Sequence, residues 1–429
     1  MCYAIPGKVI SIEGENADVE YFGEVKKARA DLIMPEIGEY VYAQGGFIVG
    51  KIPEKEALVI LNEWNDLFFQ LKDSDEKQAE VHDIKVSKEF RAIINKAAQT
   101  SNLTKEQAIE LMKVSDENEL KLLSETANQV RHRDLGNACC VHGIIEFSNY
   151  CKRNCHYCGL RSENSNLPRY RMEPEEIIAA AEYASTELGF KAFVLQSGED
   201  DYYSDDMLAE IVSEIWKKCN ALIFVSFGDR SASAYKKFYN AGARACLMRF
   251  ETSNKELYEK LHPGDTLEKK IGLIKEIADM GYLIATGGLI GLPGQTEEDL
   301  INDIILTKEL GTEMYSFGPF MPHPDTPLAD ADKPSLELSL KTLSVARLLD
   351  PESKILVTTA LETLNKKGKE DGLRCGGNSL MVNVTPKKYK ELYSIYPNKA
   401  GIGSEMADNV DETVSLLKSL GRAPTDLGF

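Results

Sequence analysis

The sequence predicts an α/β protein: a TIM-type (β/α)8 barrel preceded by a small N-terminal antiparallel β-barrel. Three observations predict it. From residue 140 onward, eight apolar, strand-like runs alternate with helical patterns. Residues 1–50 instead carry short strand patterns punctuated by glycine. The C-terminal ends of the predicted barrel strands are polar and Gly-rich, and such barrels collect their chemistry there. A doubly wound open sheet is the other arrangement compatible with the same alternation.

In chain order, strands are expected at 2–13, 17–22, 24–30 and 40–45, with turns at Gly14, Gly23 and Gly38. Pro53 opens an amphipathic helix to about residue 71, with Leu58, Ile60, Leu61, Trp64, Leu67 and Phe68 as its apolar stripe. The polar run 72–78 reads as a linker. These features divide the chain into a module at 1–75, a helical segment at 76–134 and the barrel at 135–429. In the middle segment, Thr104 and Gln107 form a capping box. Barrel strands are expected near 141–147, 191–196, 221–227, 244–250, 282–290, 314–319, 354–360 and 379–385. Helices are expected at 173–188, 204–219, 231–241, 266–280, 296–310 and 335–349, with none evident in the 361–378 connection.

Composition narrows the function. The 429 residues carry 50 basic and 68 acidic side chains, a net charge of −18, so nucleic acid is not an expected partner. No apolar run is long enough to span a membrane, and no signal peptide is visible, so the expected location is cytoplasmic. Nine cysteines, an odd number, argue against a disulfide framework. Cys151, Cys155 and Cys158 fall in a C-x3-C-x2-C pattern after the first barrel strand. Thiolates at that density bind an iron–sulfur cluster or zinc. His156 is badly placed as a fourth zinc ligand. The other strand ends add Gln196-Ser197-Gly198-Glu199-Asp200, Ser226-Phe227-Gly228-Asp229, Arg249-Phe250-Glu251-Thr252, the run Gly287–Thr296, the run Gly318–Pro327 and Thr358-Thr359-Ala360.

The cysteine pattern, with Tyr157 before its last member, resembles the radical S-adenosylmethionine enzymes. IIEFSNYCKRNCHYCGLR, LQSGEDDYY, GLPGQT and GPFMPHPDTPLA resemble, more narrowly, the HydE-type maturases of FeFe-hydrogenase and their relatives the methylornithine synthases. The resemblance covers residues 85–429. It implies one 4Fe-4S cluster on Cys151, Cys155 and Cys158, and S-adenosylmethionine as cosubstrate, cleaved to a 5′-deoxyadenosyl radical that is itself the reactive agent. It implies cofactor contacts from Tyr157, Gln196, Ser197, Glu199 (toward the α-amino group), Ser226, Glu251 (toward the ribose), Gly288 and Gly291. Lys270 stands where the family carries an arginine for the carboxylate, which keeps the charge but loses the bidentate fork. Arg249, His323, Asp325, Thr326, Thr358 and Thr359 are the implied substrate contacts, although His323 and Asp325 are equally explained as a satisfied loop. Cys375 matches the first of three accessory-cluster cysteines, but no cysteine follows it, so a single cluster is expected.

MCYAIPGKVISIEG, at the start of the chain, resembles the HypC/HupF hydrogenase-maturation chaperones. That resemblance makes Cys2 a metal-ligand candidate, while Gln44 replaces the family's histidine and favours docking over iron carriage. The module is expected to fold separately and to meet other maturation proteins. The expected activity is radical chemistry on a small-molecule or organometallic substrate during assembly of an iron cofactor. An amino-acid carbon-skeleton mutase of the methylornithine synthase type is the alternative.

Overall fold

The computed structural model describes residues 4–100 and 102–427; Cys2 lies outside them. β1 (Pro6–Glu13), β2 (Asn16–Tyr21), β3 (Glu24–Arg29), β4 (Tyr40–Gln44) and β5 (Phe47–Ile52) close a small barrel in the order β1-β2-β3-β5-β4. The pairings are antiparallel except for the Arg29–Phe47 pair between β3 and β5.

The first helix, α1 (Glu54–Gln78), does not stop at residue 71. The run 72–78, expected as a linker, forms its last two turns. Asp75 there is buried and held by Arg131 and Arg422, so a polar stretch stays helical because its charge is satisfied inside the protein. The buried stripe is Ala57, Trp64, Phe68, Leu71 and Asp75. Leu58, expected on that stripe, is half exposed.

Three helices follow: α2 (Lys88–Thr100), α3 (Lys105–Lys113) and α4 (Glu117–Leu135). The Thr104–Gln107 capping box is formed in both directions. The large barrel then builds from β6 (Cys140–Ser148), β7 (Ala192–Ser197), β8 (Leu222–Ser226), β9 (Ala245–Leu247) and β10 (Leu283–Thr286). It continues through β11 (Leu289–Ile290), β12 (Met314–Tyr315), β13 (Gly318–Pro319), β14 (Lys354–Ile355) and β15 (Ser379–Asn383). Eight of these form one parallel sheet, ordered β14-β12-β10-β9-β8-β7-β6-β15. A single bridge, Leu356 to Ser379, closes the circle. The predicted fifth and sixth strands each break in two, and their outer pieces β11 and β13 pair apart from the main sheet. The break follows from Gly287 and Gly288. Gly287 has a φ of 150°, and a Cβ there would lie 2.5 Å from the Ser316 carbonyl oxygen.

The six predicted barrel helices are found, as Pro174–Thr186, Asp205–Cys219, Ala232–Asn240, Leu267–Asp279, Glu297–Glu309 and Leu336–Leu349. The 361–378 connection does contain helix, at Thr359–Leu364 and Gly368–Arg374; a further short helix, Lys255–Leu261, was not expected. Each spans two turns or fewer, too little for a periodic signal.

Side chains alternate along the strands as the pleat requires. Phe193, Leu195, Ile223 and Val225 face the helices, whereas Ala192, Val194, Leu222 and Phe224 share a second core. That second core also contains Tyr40, Tyr42, Phe47 and Val49 of the small barrel, which therefore seals the N-terminal end of the large one. Gly45 sits at the join; a Cβ there would lie 2.8 Å from Leu283 and 2.9 Å from Leu222. The module expected to fold separately thus shares buried apolar surface with the large barrel.

Candidate functional site

The loop after β6 carries Cys151, Cys155 and Cys158, all reduced and all half-buried. It is stiffened by its surroundings. The Arg169 guanidinium donates to the carbonyls of Asn149, Leu160, Arg161 and Asn164. The Asn149 amide donates to the Pro168 and Leu392 carbonyls, each at 2.8 Å. The Glu199 N–H points at the Cys151 sulfur at 3.4 Å, and the Lys152 N–H donates to the Glu199 carbonyl at 2.9 Å. Gly198 makes this approach possible, since a Cβ would strike the Tyr150 carbonyl and lie 2.8 Å from the Cys151 Cβ.

Burial, and then the neighbouring Cys151, push the Cys155 thiol up to about 12; burial, aided by Cys155 and Cys151, also raises the Cys158 thiol. A cation bound at the loop would stabilise the thiolates. Among the described residues, no three His, Cys, Asp or Glu side chains converge on a single-ion site. A lone zinc asks for that convergence, whereas an iron–sulfur cube holds its cysteines apart on separate irons. The donor set fits the cluster.

Beside the loop lies a charged network that sequence reasoning missed in part. Arg153 reaches Glu199 at 3.7 Å and Asp229 at 3.5 Å, and it hydrogen-bonds Asp265. Lys270, expected to face a ligand carboxylate, is paired with Asp229. Glu199 accepts from the Asp229 N–H at 3.1 Å, while its Oε2 is buried without a partner. Burial, and then Asp229, raise the Glu199 carboxyl. Arg153 and Asp265 are 112 residues apart, so no local signal links them.

Glu251 stands across the mouth with φ at 68°, a left-handed conformation rare for a residue with a side chain. Its backbone bridges Gly288, where a Cβ would lie 2.5 Å from the Glu251 carbonyl oxygen. The Arg249 Nη2 is 2.7 Å from Glu251 Oε2 but off the hydrogen-bonding direction, so both atoms remain unpartnered. Gly291, with φ of 80°, packs against Pro334, and its N–H donates to Gln295 at 2.7 Å. Tyr157 donates its hydroxyl to His262 Nε2 at 2.9 Å, and His262 Nδ1 donates to the Tyr258 carbonyl at 2.8 Å. Burial holds His262 down to about 4, which keeps it neutral. Ser197 and Ser226 end β7 and β8, both half-buried.

The predicted substrate residues divide. Arg249, Thr358 and Thr359 line a cavity of about 130 Å3 inside the barrel, together with Gln196 and the unexpected Glu146 and Lys399. His323, Asp325 and Thr326 do not line it. They form a turn in which His323 Nδ1 accepts from the Asp325 N–H at 3.1 Å and its carbonyl accepts from the Thr326 hydroxyl at 2.8 Å. The His323 ring rests against Gly159 of the cysteine loop. Glu146 pairs with Lys399 and accepts from Asn383 at 2.7 Å. Gln44, in the small barrel, is structural: its amide donates to Asp426 at 3.0 Å.

The Radical SAM superfamily matches residues 145–306, and the HupF/HypC family matches residues 1–64. The chain is 40% identical over 321 residues to the FeFe hydrogenase maturase subunit HydE of Thermotoga maritima, covering 75% of this chain and 92% of that protein. It is 29% identical to 3-methylornithine synthase of Methanosarcina acetivorans, covering 65% of this chain and 79% of that protein. The crystal structure of methylornithine synthase superposes with a TM-score of 0.68 at 25% identity, covering 77% of this chain and 97% of that one.

Proposed function

The chain belongs to the HydE-type radical S-adenosylmethionine enzymes, with a HupF/HypC module at its N-terminus, and from that membership we propose that it acts in assembly of an organometallic iron cofactor. When bound, the 4Fe-4S cluster supplies the electron that cleaves S-adenosylmethionine to a 5′-deoxyadenosyl radical.

This chain's own residues provide the rest. Cys151, Cys155 and Cys158 hold the cluster. Ser197 and Glu199 receive the amino group of S-adenosylmethionine, the unpartnered Glu199 oxygen being the free acceptor. Glu251 receives the ribose hydroxyls, and Tyr157, Gln196, Ser226, Gly288 and Gly291 surround the nucleoside. The carboxylate meets the Arg153–Lys270 side of the network, in competition with Asp229. The substrate, a small molecule or organometallic fragment, occupies the cavity where Arg249 and the unpartnered Thr358 hydroxyl are available. The N-terminal module meets other maturation proteins. The observation that carries the reading is the identity to HydE over 92% of that protein, joined to three free thiols on one braced loop.

Anaerobic reconstitution tests it. About four irons per chain are expected, with near-complete loss in Cys155→Ala. Reduced, loaded enzyme should form 5′-deoxyadenosine and should restore hydrogenase maturation in a host lacking its own HydE. Formation of 5′-deoxyadenosine without restoration, together with rearrangement of an amino acid, would transfer the assignment to the mutase.

A further inference from the structure

The reaction cavity has a floor, a roof and a side wall, and the side wall is the thinnest. Below it, the small barrel packs Tyr42, Phe47 and Val49 against the interior residues Val194, Leu222 and Phe224. Above it stand Glu251, Gly288 and Ser197, which in the function proposed here are covered by S-adenosylmethionine. The wall between β14 and β15 is different. The two strands share only the Leu356–Ser379 bridge. Beyond the Val357 N–H, which donates to the Ser379 carbonyl at 2.9 Å, no further backbone hydrogen bond joins them toward the C-terminal ends among the described residues.

A second cavity of about 130 Å3 lies outside this gap, bounded by Glu362, Lys369 and Glu412 and reaching the surface at Gly401. The inner and outer cavities share Thr359, Met381, Asn383 and Lys399. These four side chains are therefore the partition. Lys399 is its movable member. It comes from a loop rather than from the barrel, it is 7% exposed, and its ammonium reaches inward to Glu146. The loop turns through two left-handed residues, Asn398 with φ of 55° and Gly401 with φ of 69°. It is tied to the neighbouring helix by the Ala400 N–H donating to the Thr363 hydroxyl at 2.9 Å.

We infer that the β14–β15 seam is a side entrance to the reaction cavity, closed by the Lys399–Glu146 ion pair, through which a small substrate or product exchanges while S-adenosylmethionine covers the mouth. Breaking the pair takes one side chain out of the partition without disturbing the barrel ladder. The polar outer cavity, with Lys369, Asn409 and Glu412, suits a small charged solute rather than an apolar one.

The inference rests on the proposed site of S-adenosylmethionine, and substituted-cysteine accessibility tests both separately. Ile144 lines the inner cavity only. In full-length, cluster-loaded Ile144→Cys protein, labelling of residue 144 by a small methanethiosulfonate reagent is followed by peptide mass spectrometry, with the parent protein as background. Labelling should still proceed at saturating S-adenosylmethionine, which covers the mouth. It should rise about tenfold when Lys399→Ala removes the buried partner of Glu146. Thr363→Val, which frees the loop and lies outside both cavities, should also raise it. Complete protection by S-adenosylmethionine in the variants, or no acceleration in either variant, would overturn the side entrance. Equilibrium dialysis on the same samples reads cofactor binding independently. Failure to bind would remove the proposed function, whereas binding without acceleration in the variants would remove the side entrance alone.

Discussion

Gly198 shows how much a single residue can hold at the cluster loop. It lets the β7 end lie against Tyr150 and Cys151, and a methyl group there has nowhere to go. Gly198→Ala should reconstitute with markedly less iron than the parent while keeping its far-ultraviolet circular dichroism; full iron loading would contradict this account of the loop. Glu251 makes a second case. Its strained φ of 68° is retained because the Gly288 bridge holds it. Glu251→Ala should weaken S-adenosylmethionine binding by about 1–3 kcal/mol, the range for hydrogen bonds to a charged group, measured by equilibrium dialysis. The cysteines were readable from sequence because all three sit on one loop. Arg153 and Asp265 were not, and Asp229 was legible only as a strand end, because these side chains meet only after separate strand ends and loops come together.

At the scale of the element, α1 is the instructive case. Its last two turns look like a linker, since their composition is polar, yet they carry the electrostatic lock of the molecule. Asp75 binds Arg131 at 2.6 Å and Arg422 at 2.9 Å, and His132 at 2.7 Å. Burial alone would raise this carboxyl, but His132 and the two arginines hold it down at about 2. The unfolded chain therefore binds a proton that the folded one refuses, so this contribution is complete above about pH 4 and is lost as pH falls toward about 2. Asp75→Asn leaves two buried guanidinium groups facing each other and should cost about 3–5 kcal/mol in denaturant unfolding at pH 7. The same variant should show a flatter acid-unfolding profile between about pH 4 and about pH 2. Parallel acid profiles for variant and parent would show that Asp75 is not the group responsible.

For the whole molecule, the join between the barrels sets the expectations. Removing residues 1–78 would expose Val194, Leu222, Phe224 and their neighbours and strand Arg131 and Arg422 without Asp75. The truncated protein should bind a hydrophobic dye and aggregate; a soluble, cluster-loaded fragment with the parent's melting temperature would refute the shared core. Gly45→Ala offers a milder test. With φ of 55° and a Cβ forced against Leu283 and Leu222, it should lower the melting temperature by several degrees, corresponding to about 1–3 kcal/mol.

These contrasts follow one physical division. Strand alternation, helix caps and the C-x3-C-x2-C loop arise from residues near one another in the chain, so eight strands, six helices and the grouping of three cysteines could be read directly. The plugged barrel floor, the Asp75 lock, the Arg153 network and the thin seam at Lys399 depend on which surfaces meet. Those meetings join residues tens to hundreds of positions apart, where pattern and spacing carry no signal, and packing alone settles them.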